Sequence, residues 1–253
     1  MADYQKIAND SRKKVLELIH SAQVSHVGSN MSCIDLLVVL FEKAELDTDE
    51  VVLSKGWAAA SWYYFLWRKG VISEEELNSF CKPGSPFIGL VEPMGRWGLR
   101  CAGGSMGLGA AMSCGIATAM KLLKKPGRVY TVISDGELQT ETMFATARNA
   151  AKRRLGNLTF LLDKNGFCAM GKTGDVLDID PKKLFYDWDV CEIDGHDYAQ
   201  IESALEHMAE KPSLIIANTV KSKGIPKWEG DNTWHYAKIK DDDLEYALSC
   251  LNS

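Results

Sequence analysis

No CxxC pair occurs among the seven cysteines of this 253-residue chain, and several of them sit in apolar segments. That pattern offers no paired-thiolate metal site and predicts reduced, buried thiols of the kind kept in the cytoplasm. No apolar run approaches membrane-spanning length, and the opening MADYQKIANDSRKK lacks a signal peptide's apolar core. A dense basic run is missing too, and the formal net charge of −5 argues against non-specific binding to nucleic acid. No internal repeat, low-complexity tract or Pro/Gly-rich linker divides the chain. What is present, 46% hydrophobic and 25% charged residues, is ordinary for a globular protein, and the length suits one large α/β domain spanning 1–253.

The most informative stretch is RVYTVISDGELQTETMFATARNAAKRRLGNLTFLLDKNGF, Arg128 to Phe167. Val129 to Ile133 is a short β-branched run that predicts a buried parallel strand. It stops at Ser134-Asp135-Gly136. Glu137 to Arg154 predicts a helix, acidic at its start and basic in its last turn, as the helix dipole favours. Leu158 to Leu162 predicts a second strand, halted at the polar turn Asp163-Lys164-Asn165-Gly166. Parallel strands joined by one helix bring both C-terminal ends to the same sheet edge. Asp135 and Asn165 are separated by about one strand–helix–strand unit, so a carboxylate and an amide oxygen can face one point, with a main-chain carbonyl nearby. So few oxygen ligands suit Mg²⁺ sharing its shell with phosphate oxygens. Taken singly, Asp135 reads as a helix cap and Asn165 as a turn residue; the joint pattern favours the metal.

SDGELQ…NLTFLLDKNGF is similar to the thiamine-diphosphate signature in its transketolase version. SHVGSNMSCIDLLVVLF, VVLSKGWAAASWYYFL, GGSMGLGAAMSCGIA, CEIDGHDYAQI and TVKSKG…WH follow in that family's order. The chain therefore resembles the N-terminal, diphosphate-binding (PP) subunit of a split transketolase. The resemblance implies an α/β fold with a mostly parallel central sheet and helices on both faces, without the pyrimidine-binding domain. It implies thiamine diphosphate and Mg²⁺ (Ca²⁺ or Mn²⁺ as substitutes), the metal held by Asp135, Asn165 and the Phe167 carbonyl. Cofactor contacts fall on Trp57, Gly104, Ser105, Met106, Asp135, Gly136, Asn165, Lys221 and His235. His26 and His235 match the catalytic histidines, and His26 and Ser29 match substrate contacts. The pyrimidine-binding domain would come from a C-terminal partner chain in an α2β2 heterotetramer.

Along the rest of the chain, Tyr4 to Ala22 and Cys33 to Glu42 predict helices flanking a Gly/Ser loop that carries His26. Val51 to Leu53 predicts a strand leading to Ser54-Lys55-Gly56-Trp57. The family has His where this chain has Trp57, and indole cannot titrate and is much larger. Ala58 to Lys69 predicts a helix whose aromatic stripe (Trp62, Tyr63, Phe65, Trp67) reads as packing. The segment from Ser73 to Trp97 is irregular, and Leu90 aligns with the family's hydroxyl-reading His, so hydroxyl selectivity should fall. Gly103 to Gly109 is not GxGxxG and leads into a helix, Ala110 to Leu123, whose start can approach a flat ligand. Thr140 and Ala145 replace two family glutamates that couple active sites across the dimer. Asp194 or Asp197 should cap a helix running to Glu210, with no chemistry assigned to His196. Ser213 to Thr219 predicts the last strand, Lys221 beyond it offsets phosphate charge, and Asp241 to Ser253 predicts a terminal helix.

Three activities remain open at this level. The first is transfer of a two-carbon ketol unit from a ketose to an aldehyde, active only with the partner. The second is acetyl-type carboligation from pyruvate or a deoxy-ketose, suggested by Trp57 and Leu90. The third is a non-catalytic subunit that binds cofactor or partner.

Overall fold

The computed structural model describes residues 3–207 and 209–252. Five parallel strands form its central sheet: β1 (Glu50–Leu53), β2 (Val129–Ser134), β3 (Leu158–Lys164), β6 (Asp189–Asp194) and β7 (Ser213–Asn218), in spatial order β1-β2-β3-β7-β6. A two-residue antiparallel pair, β4 (Phe167–Cys168) with β5 (Gly171–Lys172), projects beyond β3. The helices are α1 (Tyr4–Ala22), α2 (Val27–Ser32), α3 (Ile34–Lys43), α4 (Ala59–Arg68), α5 (Glu74–Asn78), α6 (Leu108–Leu122) and α7 (Glu141–Lys152). After β5 come α8 (Thr173–Val176), α9 (Pro181–Leu184), α10 (Tyr198–Glu206) and α11 (Asp241–Cys250).

The strands read as continuous apolar runs because both faces are covered, and their alternation sorts them into two cores. Val132, Leu161, Ile215 and Ala217 face a cluster completed by α1, α3, α4 and α11. Ile133, Phe160, Leu162 and Ile216 face the other, built from α6, α7, Phe185 and Trp188. Trp62, Tyr63 and Phe65 of the aromatic stripe are fully buried in the first cluster, as packing requires. Among the described residues no helix is long and apolar enough to cross a membrane. Among the described residues no two cysteines form a disulfide; Cys33, Cys101, Cys114 and Cys168 are buried as expected, whereas Cys81 and Cys250 are only partly covered and Cys191 is exposed.

Several local expectations are corrected. The Gly/Ser segment after His26 is helical: His26 makes the turn itself at φ 73°, and its carbonyl accepts from Ser29 and Asn30 as α2 begins. The helix expected from Glu137 starts only at Glu141. Glu137 reaches back to the Ser134 amide (2.8 Å), which closes a tight 3₁₀ turn over Asp135–Gln139, and Thr140 then caps α7. β3 continues through Asp163 to Lys164, so Asp163 is a buried strand residue rather than part of a turn. α10 ends at Glu206, short of Glu210. A short helix, α5, sits in the supposedly irregular region because Ser73 and Glu76 cap each other reciprocally. Asp197 does cap α10, accepting from the Ala199 and Gln200 amides. Met208, inside the helix expected to run to Glu210, and Ser253, the end of the expected terminal helix, lie outside the described residues.

Candidate active site

A cleft of about 320 Å³ opens at the C-terminal ends of β1, β2, β3 and β7, where open α/β sheets place their ligands. Each strand delivers a polar group as its ladder ends: Ser54 and Lys55 after β1, Ser134 and Asp135 from β2, Asn165 after β3, and Lys221 beyond β7. Two backbones meet on the wall. A Cβ on Gly56 would lie 1.8 Å from the Gly103 carbonyl oxygen, so neither crossing segment tolerates a larger residue.

Asp135 and the turn at Asn165 face each other. One Asp135 oxygen accepts from the Gly136 amide (3.0 Å) and the other from the Gly166 amide (2.6 Å), tying the β2 turn to the β3 turn. Asn165 Oδ1 accepts from the Phe167 amide (3.1 Å), and its Nδ2 lies 3.3 Å from Ser32 Oγ. Burial, reinforced by the charge of Asp163, pushes the Asp135 carboxyl up to about 7 despite the Gly166 amide's opposing pull. A carboxylate so poorly compensated, with lone pairs to spare on both oxygens, is chemically suited to a divalent cation. Among the described residues no group of three or more His, Cys, Asp or Glu side chains could hold a metal ion. Any cation here would rely on one carboxylate, an amide and main-chain or ligand oxygens, a donor set that fits Mg²⁺ better than Zn²⁺.

Beneath these turns lies a buried charge network that sequence reasoning missed. Lys55 forms an ion pair with Asp163, and its Nζ also donates to Ser32 Oγ (3.0 Å); Thr219 Oγ1 donates to the other Asp163 oxygen. Burial alone would raise Asp163, but the Lys55 ammonium together with the Ser32 and Thr219 hydrogen bonds holds the carboxyl below its usual range. Burial likewise disfavours the Lys55 charge, yet Asp163, with Cys33 and Asp135, raises its pKa overall. Glu137 is the second missed acid. Its oxygens accept from the Gly107 amide (2.9 Å), Ser54 Oγ and the Ser134 amide, so it staples β1, β2 and the start of α6 together, while burial raises its pKa.

Lys221 enters from the β7 side, its stem so close to α2 that a Cβ on Gly28 would lie 2.9 Å from Cε. Its ammonium donates to Asn232 Oδ1 and lies 3.2 Å from His235 Nδ1. Burial, then Lys55, pulls Lys221 down to about 8. The same desolvation, with the Lys221 charge, lowers His235 to about 3 and His26 to about 4, so both imidazoles are neutral near pH 7.

The expected site residues do not all reach the cleft. Ser29, Trp57, Gly104, Met106, Asp135, Gly136, Asn165, Phe167, Lys221 and His235 line it. Ser105 is exposed and off its wall. His26 lines a second cavity, of about 250 Å³, on the far side of Trp57. The indole and imidazole are stacked at 4.1 Å with their planes 9° apart, and His26 sits edge-on to His235 at 4.8 Å. Asn30 holds this pair, donating to the His26 and Trp57 carbonyls at 3.0 and 3.1 Å. Leu90 stands beside Gly104, within 3.5 Å of where its Cβ would be.

Residues 3–251 match the family described as transketolase, thiamine diphosphate binding domain. The chain is 32% identical to the 6-deoxy-6-sulfo-D-fructose transketolase subunit SqwG of Clostridium sp. (strain MSTE9), covering 98% of this chain and 96% of that protein. It is 27% identical to an apulose-4-phosphate transketolase subunit of Phocaeicola vulgatus, covering 94% and 90%. The crystal structure of transketolase from Campylobacter jejuni superposes on all of this chain with a TM-score of 0.91 at 25% identity, and the chain spans 43% of that longer protein. With its sheet order, its glycine crossing and the paired turns at Asp135 and Asn165 accounted for, the chain belongs to the thiamine-diphosphate-binding domain family of transketolases.

Proposed function

We propose that this chain is the cofactor-diphosphate-binding subunit of a two-component transketolase-like enzyme, which transfers a two-carbon ketol unit from a ketose to an aldehyde. The observation that carries this reading is the joining of Asp135 to the Asn165 turn at a cleft flanked by Lys221. Asp135, Asn165 and the Phe167 carbonyl would hold Mg²⁺, with Ca²⁺ or Mn²⁺ as substitutes, and Lys221 and the Gly103-Gly104 backbone would receive the diphosphate. When bound, thiamine diphosphate supplies a nucleophilic thiazolium carbon and an electron sink. The chain's own part is positioning: neutral His235 stands at the cleft wall, able to hydrogen-bond a substrate hydroxyl.

The pyrimidine-binding domain would come from a partner chain, in an α2β2 assembly in the cytoplasm. Near the cleft, Met106 and Met170 are 48% and 77% exposed, and Leu108 and Phe144 on α6 and α7 are also exposed; a partner domain docked here would cover them. Calorimetric titration with thiamine diphosphate and Mg²⁺ in the partner's presence, followed by a ketol-transfer assay, tests the proposal. Saturable Mg²⁺-dependent binding with turnover supports it; no binding overturns it, and binding without turnover favours a non-catalytic role.

A second reading, acetyl-type transfer from pyruvate or a deoxy-ketose, is favoured by one feature. Trp57 covers His26 and Leu90 adjoins Gly104, so the donor end of the cleft is short of hydroxyl-reading groups. Product analysis with pyruvate against a ketose phosphate separates the two.

A further inference from the structure

Lys221 lies on an irregular segment in which Ser222 and Gly224 take φ values of 61° and 95°. No strand or helix holds it. Its ammonium meets Asn232 and His235 and its carbonyl accepts from the Gly230 amide (3.1 Å), while two side chains that grip the main chain on either side of it converge on one carboxylate.

Asp35, in the first turn of α3, is 3% exposed. Its Oδ2 takes two donors, Arg12 Nη2 at 2.6 Å and His196 Nδ1 at 2.7 Å, while Oδ1 accepts from the Tyr198 hydroxyl at 2.9 Å. Each of the first two donors also grips the main chain around Lys221. The Val220 amide donates to His196 Nε2 (2.9 Å), one residue before Lys221, and Arg12 Nε donates to the Lys223 carbonyl (3.2 Å), two residues after it. Arg12 also packs under Gly224, where a Cβ would come within 3.0 Å of its Cδ.

The tautomer follows from the partners. Nε2 receives an N–H and so carries a lone pair; Nδ1 therefore carries the proton and donates it to Asp35. A neutral imidazole in this one orientation links a buried carboxylate to a backbone amide that has no strand partner. We infer that His196 and Arg12, oriented by Asp35, form a clamp that positions Lys221 for the diphosphate. His196 is thus a positioning residue. The inference rests on the diphosphate reading of the cleft for what Lys221 meets, but the clamp itself is independent of any ligand.

Two variants of His196 separate positioning from bulk packing. His196→Leu fills space without an acceptor for the Val220 amide. His196→Gln keeps a donor for Asp35 and an acceptor for Val220. Hydrogen exchange of the peptide spanning residues 219–225 reads the clamp without cofactor. Calorimetry with thiamine diphosphate and Mg²⁺, partner present, reads its consequence. The His196→Leu variant should exchange this peptide at least about tenfold faster and bind cofactor about tenfold more weakly, the loss of roughly one hydrogen bond. The kcat of the two-component enzyme at saturating cofactor should stay within about twofold, and His196→Gln should restore both readings. Where His196→Leu does not fold, Arg12→Lys, which keeps a cation for Asp35 but not the reach to Lys223, should show the same pair of changes. Unchanged exchange in His196→Leu, or a kcat loss at unchanged cofactor affinity, overturns the clamp. A wild-type chain that binds no cofactor overturns the diphosphate reading instead, and the exchange arm still decides the clamp.

Discussion

The two walls of the cleft are built on different principles. On the side of β2 and β3, Asp135 and Asn165 follow directly from strand ends, and a buried Lys55–Asp163 pair sits behind them. The opposite side is made of α2 and the turn at Trp57; it presents Ser29 and the Trp57 indole, with His26 stacked on the indole's far side and Leu90 behind Gly104. The sheet dictates the geometry of the first wall, so its chemistry has little room to vary. The second wall rests on the short helix α2 and a 3₁₀ turn over Gly56–Ala58, so Trp57 can be exchanged without disturbing a strand. On the proposed reading the first wall anchors the cofactor and the second chooses the donor, so substitutions on the two sides should have different signatures.

The largest effect is expected at Asp135. Asp135→Asn should weaken Mg²⁺-dependent binding of thiamine diphosphate by at least about 100-fold in calorimetry, since it removes the carboxylate proposed to hold the metal. The same change should help the cofactor-free protein. A carboxyl held near 7 when folded and near 3.8 when unfolded keeps its proton in the folded state, so stability falls as pH rises from about 4 through 7. Urea unfolding of the cofactor-free chain should show that decline, and Asp135→Asn should flatten it. Lost binding without the flattened pH profile would place the metal correctly but the charge wrongly.

Next comes Lys55→Met, which strands Asp163 without its cation. Breaking a buried pair from one side costs about 3–5 kcal/mol, visible as a lower urea midpoint at pH 7. A loss below about 1 kcal/mol would mean that the pair does not hold this wall. Lys221→Met should be milder for the fold and should weaken cofactor binding about tenfold, since Lys221 is already pulled down to about 8 by its surroundings. Trp57→His, across the cleft, should leave cofactor affinity within about threefold. It should shift the ratio of kcat/KM for ketose over pyruvate by about tenfold, the scale of one restored hydroxyl contact. Equal shifts in cofactor affinity and donor ratio would erase the distinction between the walls.

What the sequence reveals follows the same division. The convergence of Asp135 on Asn165 is legible because parallel strands leave their ends no choice of edge, and the aromatic stripe of α4 is legible from its period. Asp163 escapes because DKNG reads as a turn; the ladders to β2 and β7 on either side make it a strand residue, and with it the Lys55 pair. Glu137 escapes for a related reason: acidic residues early in a helix look like dipole partners, whereas this one folds back into a 3₁₀ turn. The stacking of His26 under Trp57 depends on a left-handed turn at a non-glycine residue, which no local pattern announces. Where the signal is a period or a strand end the reading carries through; where it depends on long-range contacts it does not.

Anomalous scattering from crystals grown with thiamine diphosphate and Mn²⁺, the partner chain included, examines the central claim most directly. The account predicts one peak within about 2.0–2.3 Å of both an Asp135 carboxylate oxygen and Asn165 Oδ1, with diphosphate oxygens completing the shell. A bound diphosphate with no metal between those two side chains, or a peak elsewhere in the cleft, would contradict it.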